Sequence, residues 1–133
     1  MTRLILDSSV YISIAHPKDI FHSKSRSFIV KLQKKFTDTE IIVPTQIILE
    51  VANILKKTSE EILSIFSGGQ IIYFDLVLIE KIIPYFKQVS LKTSDAIIVA
   101  CAKIYQTELV TWDKKLAREA NKIVRVYLPD EIG

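Results

Sequence analysis

The chain has 133 residues, 49% hydrophobic and 25% charged, with only three glycines and four prolines. These proportions exclude a disordered or fibrous chain and fit one globular domain over residues 1–133, large enough to bury a core without staples. The single cysteine, Cys101, excludes an intrachain disulfide framework, and a formal net charge of +3 favours a polyanionic partner only mildly.

No apolar run reaches the roughly 18 to 20 residues that a membrane-spanning helix needs. The apolar start Leu4-Ile5-Leu6 is interrupted by Asp7-Ser8-Ser9, so no secretory h-region forms. A cytoplasmic protein is expected, with no membrane partner and with Cys101 reduced.

Arg3 to Asp7 reads as a short buried strand handing over to a helix capped by a small hydroxyl residue. Phe21 to Phe36 follows as a helix, with Phe28, Ile29, Leu32 and Phe36 on its apolar side and Lys31, Lys34 and Lys35 outside. The β-branched run in Glu40 to Pro44 predicts a second strand, and a helix from about Thr45 carries Ile47, Ile48, Val51, Ile54 and Leu55 at helical spacing. Glu50 lies at the edge of that stripe. Thr58 with Glu61 predicts a capped short helix through Ile62, Ile65 and Phe66, ended by a turn at Gly68-Gly69.

Gln70 to Phe74 reads as a third strand, and Asp75 caps a helix that Pro84 divides near Ile83. Lys92-Thr93-Ser94-Asp95 opens a helix, Ala96 to Tyr105, apolar on nearly every side and therefore internal. Leu109-Val110-Thr111 predicts a fourth strand, Asp113 to Ala120 a short polar helix, and Ile123 to Leu128 a fifth strand. Strands alternating with helices predict an α/β fold, a three-layer α/β/α sandwich around a mostly parallel sheet of about five strands.

In such sheets the functional crevice lies at the carboxyl ends of the strands. Asp7 and Asp113 follow strands there, Asp95 opens the core helix, and Glu50 sits on the helix after the second strand. Each acid alone has an ordinary explanation. Asp7 and Asp113 suit helix N-caps, Asp95 suits a helix N-terminus, and a glutamate at a stripe edge is usually solvated. Together, converging carboxylates repel and raise one another's pKa unless a cation neutralises them. An all-oxygen set without His or Cys selects a hard ion, Mg²⁺ or Mn²⁺, the chemistry of phosphodiester hydrolysis.

The segments Leu4-Ile5-Leu6-Asp7-Ser8-Ser9-Val10, Pro44 with Glu50, Thr93-Ser94-Asp95-Ala96-Ile97-Ile98 and Leu109-Val110-Thr111-Trp112-Asp113 are similar, in order and spacing, to the successive motifs of PIN domains. The resemblance spans nearly the whole chain. It implies a metal-dependent ribonuclease, and for a chain of this length a toxin of the VapBC type. It carries the metal-ligand positions onto Asp7, Glu50, Asp95 and Asp113, with Thr111 and, more weakly, Ser8 as hydroxyls assisting at the metal water or scissile phosphate. It further implies an RNA substrate cut to a 5′-phosphate and a 3′-hydroxyl, a cognate antitoxin and a homodimer. Two residues depart from the pattern: Trp112 replaces a smaller or Phe-like residue, and Gln106-Thr107 stands where a glycine often ends the core helix.

Lys56, Lys57, Lys92, Lys114, Lys115 and Arg118 are candidates to hold the RNA backbone, and Tyr11 or Trp112 to stack on a base. His16 and His22 fall in no ligand spacing, Cys101 lacks a base partner, and Gly68-Gly69 lacks the Lys-Ser or Lys-Thr of a phosphate loop. A phosphatase of the haloacid dehalogenase type also begins with an aspartate after an apolar strand, but it needs a second Asp where Ser9 stands. A catalytically idle PIN module that binds RNA or protein as a scaffold is the alternative from another class; such modules commonly lack one or more acids, and all four are present here.

Overall fold

The computed structural model describes residues 2–35 and 38–131. Among these, five strands form one sheet: β1 (Arg3–Leu6), β2 (Glu40–Pro44), β3 (Gln70–Ile72), β4 (Glu108–Val110) and β5 (Val126–Tyr127). The order is β3-β2-β1-β4-β5 and every neighbouring pair is parallel. The third and fifth strands are shorter than their apolar runs. Tyr73, expected within the third strand, is 75% exposed and lies beyond the last pair of that strand, Pro44 with Ile72.

The chain builds outward from β1 to β2 and β3, then returns to the other side of β1 to lay down β4 and β5. Connections therefore leave β1 and β4 in opposite directions, which opens a crevice at the carboxyl ends of these two strands. Their register places Leu6 beside Val110, so Asp7 and Thr111 emerge side by side.

Two layers of core cover the sheet, as period-2 side chains require. Leu4, Leu6 and Val110 face Phe28 and Leu32, while Ile5 and Leu109 face the opposite core with Ile47, Val51, Ile98 and Val99. The first of these layers is supplied by α1 (Ser8–Ala15) and α2 (His22–Lys35), the second chiefly by α3 (Thr45–Leu55) and α6 (Thr93–Ile104). Phe36, expected on the apolar side of α2, lies outside the described residues.

The local signals explain the ends of the helices. The cap of α1 is the carboxylate of Asp7 and not a hydroxyl, because the helix already begins at Ser8. Thr58 and Glu61 cap α4 (Ser59–Ile65) reciprocally, with Glu61 N donating to Thr58 Oγ1 at 3.2 Å and Thr58 Oγ1 donating to Glu61 Oε1 at 3.1 Å. Asp75 caps α5 (Leu76–Ile82), and Pro84 converts the following turn, Ile83–Lys87, to tighter 3₁₀ winding. Gln106 takes the left-handed conformation, φ 56°, that a glycine would adopt more cheaply after α6. Gly69 is required by close approach, since a Cβ there would come within 2.7 Å of Val43 Cγ2.

The core helix α6 buries Ala96, Ile98, Val99, Ala100, Cys101 and Ala102, and its small residues let it lie close against the sheet. Ile98 is fully buried there. Ile98→Ala is expected to lower unfolding free energy by about 3 kcal/mol through lost burial and the cavity left behind. Urea denaturation checks this, with a lowered midpoint and an unchanged slope as the expected outcome.

Candidate active site at the sheet edge

Asp7 directly follows β1 and is 4% exposed, an expensive place for a carboxylate. One of its oxygens, Oδ2, accepts hydrogen bonds from Ser9 Oγ at 2.8 Å, from Thr111 Oγ1 at 2.9 Å and, at 3.4 Å, from Ser9 N. The hydroxyl that reaches Asp7 from α1 is therefore that of Ser9, while no hydrogen bond of the Ser8 side chain occurs among the described residues. Ser9 Oγ also accepts from Trp112 N at 3.1 Å, and Thr111 Oγ1 from Asp113 N at 3.0 Å. These contacts tie the end of β1 to the loop after β4.

Asp113 closes that loop and caps α7 (Lys114–Ala120), where Oδ1 accepts from Lys115 N at 3.0 Å and Leu116 N at 3.1 Å. On α3, Glu50 Oε2 accepts from Ser94 Oγ at 3.0 Å, and Ser94 in turn precedes Asp95 in the first turn of α6. Capping and site geometry are thus compatible. Asp7, Glu50 and Asp113 each spend one oxygen on the protein, and among the described residues the other takes no protein hydrogen bond. The free oxygen of Glu50, Oε1, is also shut off from solvent.

The acids sense one another. Burial pushes Asp95 up to about 6, against the nearby Lys92, and the charges of Asp7, Asp113 and Glu50 add to the rise. Burial likewise raises Glu50, with Asp7 adding to it, although the hydrogen bond from Ser94, the charge of Lys92 and the nearby amide of Gln46 act the other way. Lys92 Nζ is 4.0 Å from Asp95 Oδ2 and mostly in solvent, too wet to neutralise the cluster. The donor set is all oxygen, negative and partly unengaged, which fits a hard divalent cation in type and charge. Among the described residues no three of these side chains are yet drawn into one coordination sphere.

One expectation fails. Trp112 cannot stack on a base: it is 7% exposed, its ring lies parallel to Phe21 at 4.2 Å, and its Nε1 donates to Ser25 Oγ at 2.7 Å. Tyr11 packs its ring 4.7 Å from Phe66, and burial holds its phenol above the usual range. Trp112 is part of the interior, whereas Tyr11 is half-buried at the edge of both apolar cores. Cys101 is fully buried with its thiol pushed up to about 12, so it is no nucleophile. His22 is occupied with the carbonyl of Ser13 at 2.9 Å. Ser9, Gln46 and Ser94 were not identified from the sequence as contributors; for Ser94 the signal was its place beside Asp95, and for Gln46 only its helical spacing from Glu50.

The model of the PIN domain family matches residues 4–122. A comparison of the sequence with curated proteins finds no match. Similar solved structures include VapBC-1 from nontypeable Haemophilus influenzae, with a TM-score of 0.73 at 9% identity over 96% of this chain and 98% of that one. VapBC2 from Rickettsia felis, bound to a DNA fragment from its promoter, gives 0.69 at 16% identity over 96% and 98%. VapC20 from Mycobacterium tuberculosis, a toxin cleaving the sarcin-ricin loop, gives 0.68 at 10% identity over 86% and 93%.

The raised pKa of Asp95 fixes the sign of a pH effect. Folded protein keeps its proton in an interval where the unfolded chain, at the ordinary value of 3.8, has lost it. Stability of the metal-free protein is therefore full at low pH and falls as pH rises from about 4 to about 6. Asp95→Asn is expected to remove much of that fall and to stabilise the metal-free protein at pH 7 by about 1 to 2 kcal/mol, the linkage energy reduced for solvent screening. Urea unfolding in EDTA at several pH values checks it; a carboxylate present only to complement the helix dipole gives the opposite sign.

Proposed function

The chain belongs to the PIN domain family, and from that premise we propose that it is a single-domain, divalent-metal-dependent endoribonuclease over residues 1–133, the toxin of a type II toxin–antitoxin pair. The observation that carries this reading is the set of half-used, mutually repelling carboxylates at one sheet edge. Mg²⁺ or Mn²⁺ would be held by Asp7, Glu50, Asp95 and Asp113. When bound, such an ion supplies neutralising charge, a polarised phosphoryl oxygen and a more acidic water.

The chain's own residues do the rest. Thr111 and Ser9 hold Asp7 in orientation by donating to one of its oxygens. Glu50, fixed by Ser94, presents Oε1 as the acceptor for a proton from the attacking water. Hydrolysis leaves a 5′-phosphate and a 3′-hydroxyl. Lys92, beside Asp95, and Lys114 and Lys115, directly after Asp113, place positive charge where an RNA backbone approaches the acids. RNA as substrate is supported by the shared fold of a sarcin-ricin loop cleaving toxin. An antitoxin partner is supported by the VapBC complexes of the same fold, and a homodimer is part of the same reading. No described helix is long and apolar enough to cross a membrane, and a cytoplasmic site of action follows from an RNA target.

The purified protein is expected to cleave RNA with added Mn²⁺ and to stop in EDTA. Asp7→Asn is expected to slow cleavage at least about a hundredfold while leaving the fold intact by circular dichroism. Cleavage that survives both EDTA and Asp7→Asn defeats the reading, and RNA binding without any cleavage points to a scaffold instead.

A further inference from the structure

Gln46 stands in the first turn of α3, one helical turn before Glu50 and on the same face. Its Nε2 lies 2.6 Å from both the backbone oxygen and the hydroxyl of Ser94, and Ser94 Oγ donates to Glu50 Oε2 at 3.0 Å. A carbonyl accepts only, so the partner Ser94 O fixes which end of the Gln46 amide faces it. Both amide hydrogens are then used. The Ser94 hydroxyl, accepting from Gln46, has its one proton left for Glu50, so the relay runs in a single direction across α3 and α6.

At the two ends of that relay, Gln46 Oε1 and Glu50 Oε1 are closed off from solvent and, among the described residues, have no hydrogen-bond partner. A buried acceptor without a donor destabilises the fold. Two such oxygens one helical turn apart, beside carboxylates that repel, form an arrangement that serves an incoming O–H donor better than it serves the fold. We propose that Gln46 is a positioning residue of the acidic site, holding Glu50 in place through Ser94, and that the two unpartnered oxygens receive the water shell that a divalent cation brings. Hard cations such as Mg²⁺ retain several waters, which gives these acceptors their donors. This inference rests on the metal reading of the site.

The test measures Mn²⁺ binding to the full chain by titration calorimetry, without RNA, for the wild type, Gln46→Leu, Ser94→Ala and the double variant. Each single change is expected to weaken binding about tenfold, the size of effect seen when groups that orient metal ligands are lost. The double variant is expected to be no weaker than the worse single one, because both break the same relay. Metal-free Gln46→Leu is expected to unfold at a nearly unchanged urea midpoint, since the orphan acceptor and the two hydrogen bonds to Ser94 leave together and offset each other. Mn²⁺ affinity of Gln46→Leu equal to wild type, or reduced only in step with a lower urea midpoint, overturns the inference. Absence of Mn²⁺ binding by the wild type overturns the metal reading and this inference together, which separates the two failures.

Discussion

The repulsion among carboxylates at the edge where β1 and β4 end is the constraint around which the remaining features are arranged. Charge of one sign gathered in a half-buried place opposes folding unless each group is held and, in the working state, neutralised. The protein supplies the holding. Ser9 and Thr111 serve Asp7, the backbone at the start of α7 serves Asp113, and Ser94 serves Glu50. In each case one oxygen is committed and its twin is left, so the structure fixes the acids without consuming them.

The fold makes this possible by topology more than by local preference. Parallel strands all deliver their carboxyl ends to one edge, and the reversal between β1 and β4 opens the crevice there. The rigid parts behind it are apolar: α6 is buried along most of its length, and Trp112, wedged on Phe21 and bonded to Ser25, anchors the loop that carries Thr111 and Asp113. Trp112 thereby acts on the site from inside, as a wedge, where an exposed ring between two functional residues would have been read as a base-stacking platform.

Function and stability pull in opposite directions here. The pKa of Asp95 stands above its ordinary range through burial and through its neighbours' charge, and Glu50 keeps an oxygen with no partner among the described residues. A fold optimised for stability alone would not retain these features. They cost little at low pH, where protons do the neutralising.

The amino-acid sequence alone determined the alternation of strand and helix, the placement of Glu40–Pro44 as a strand, the capping roles of Thr58, Asp75 and Asp113, the break at Pro84, and the family to which Asp7, Glu50, Asp95 and Asp113 pointed; all of these are local or periodic signals. Strand lengths were overestimated at Gln70 and Ile123 because an apolar run does not record where a neighbouring strand stops pairing. Only the tertiary structure decided that Ser9 and not Ser8 reaches Asp7, that Trp112 belongs to the interior, and that Gln46 joins Glu50 through Ser94. The reason is physical: these contacts join residues from separate elements, and hydrogen-bond partners and burial across such distances are set by packing geometry, which no local pattern encodes.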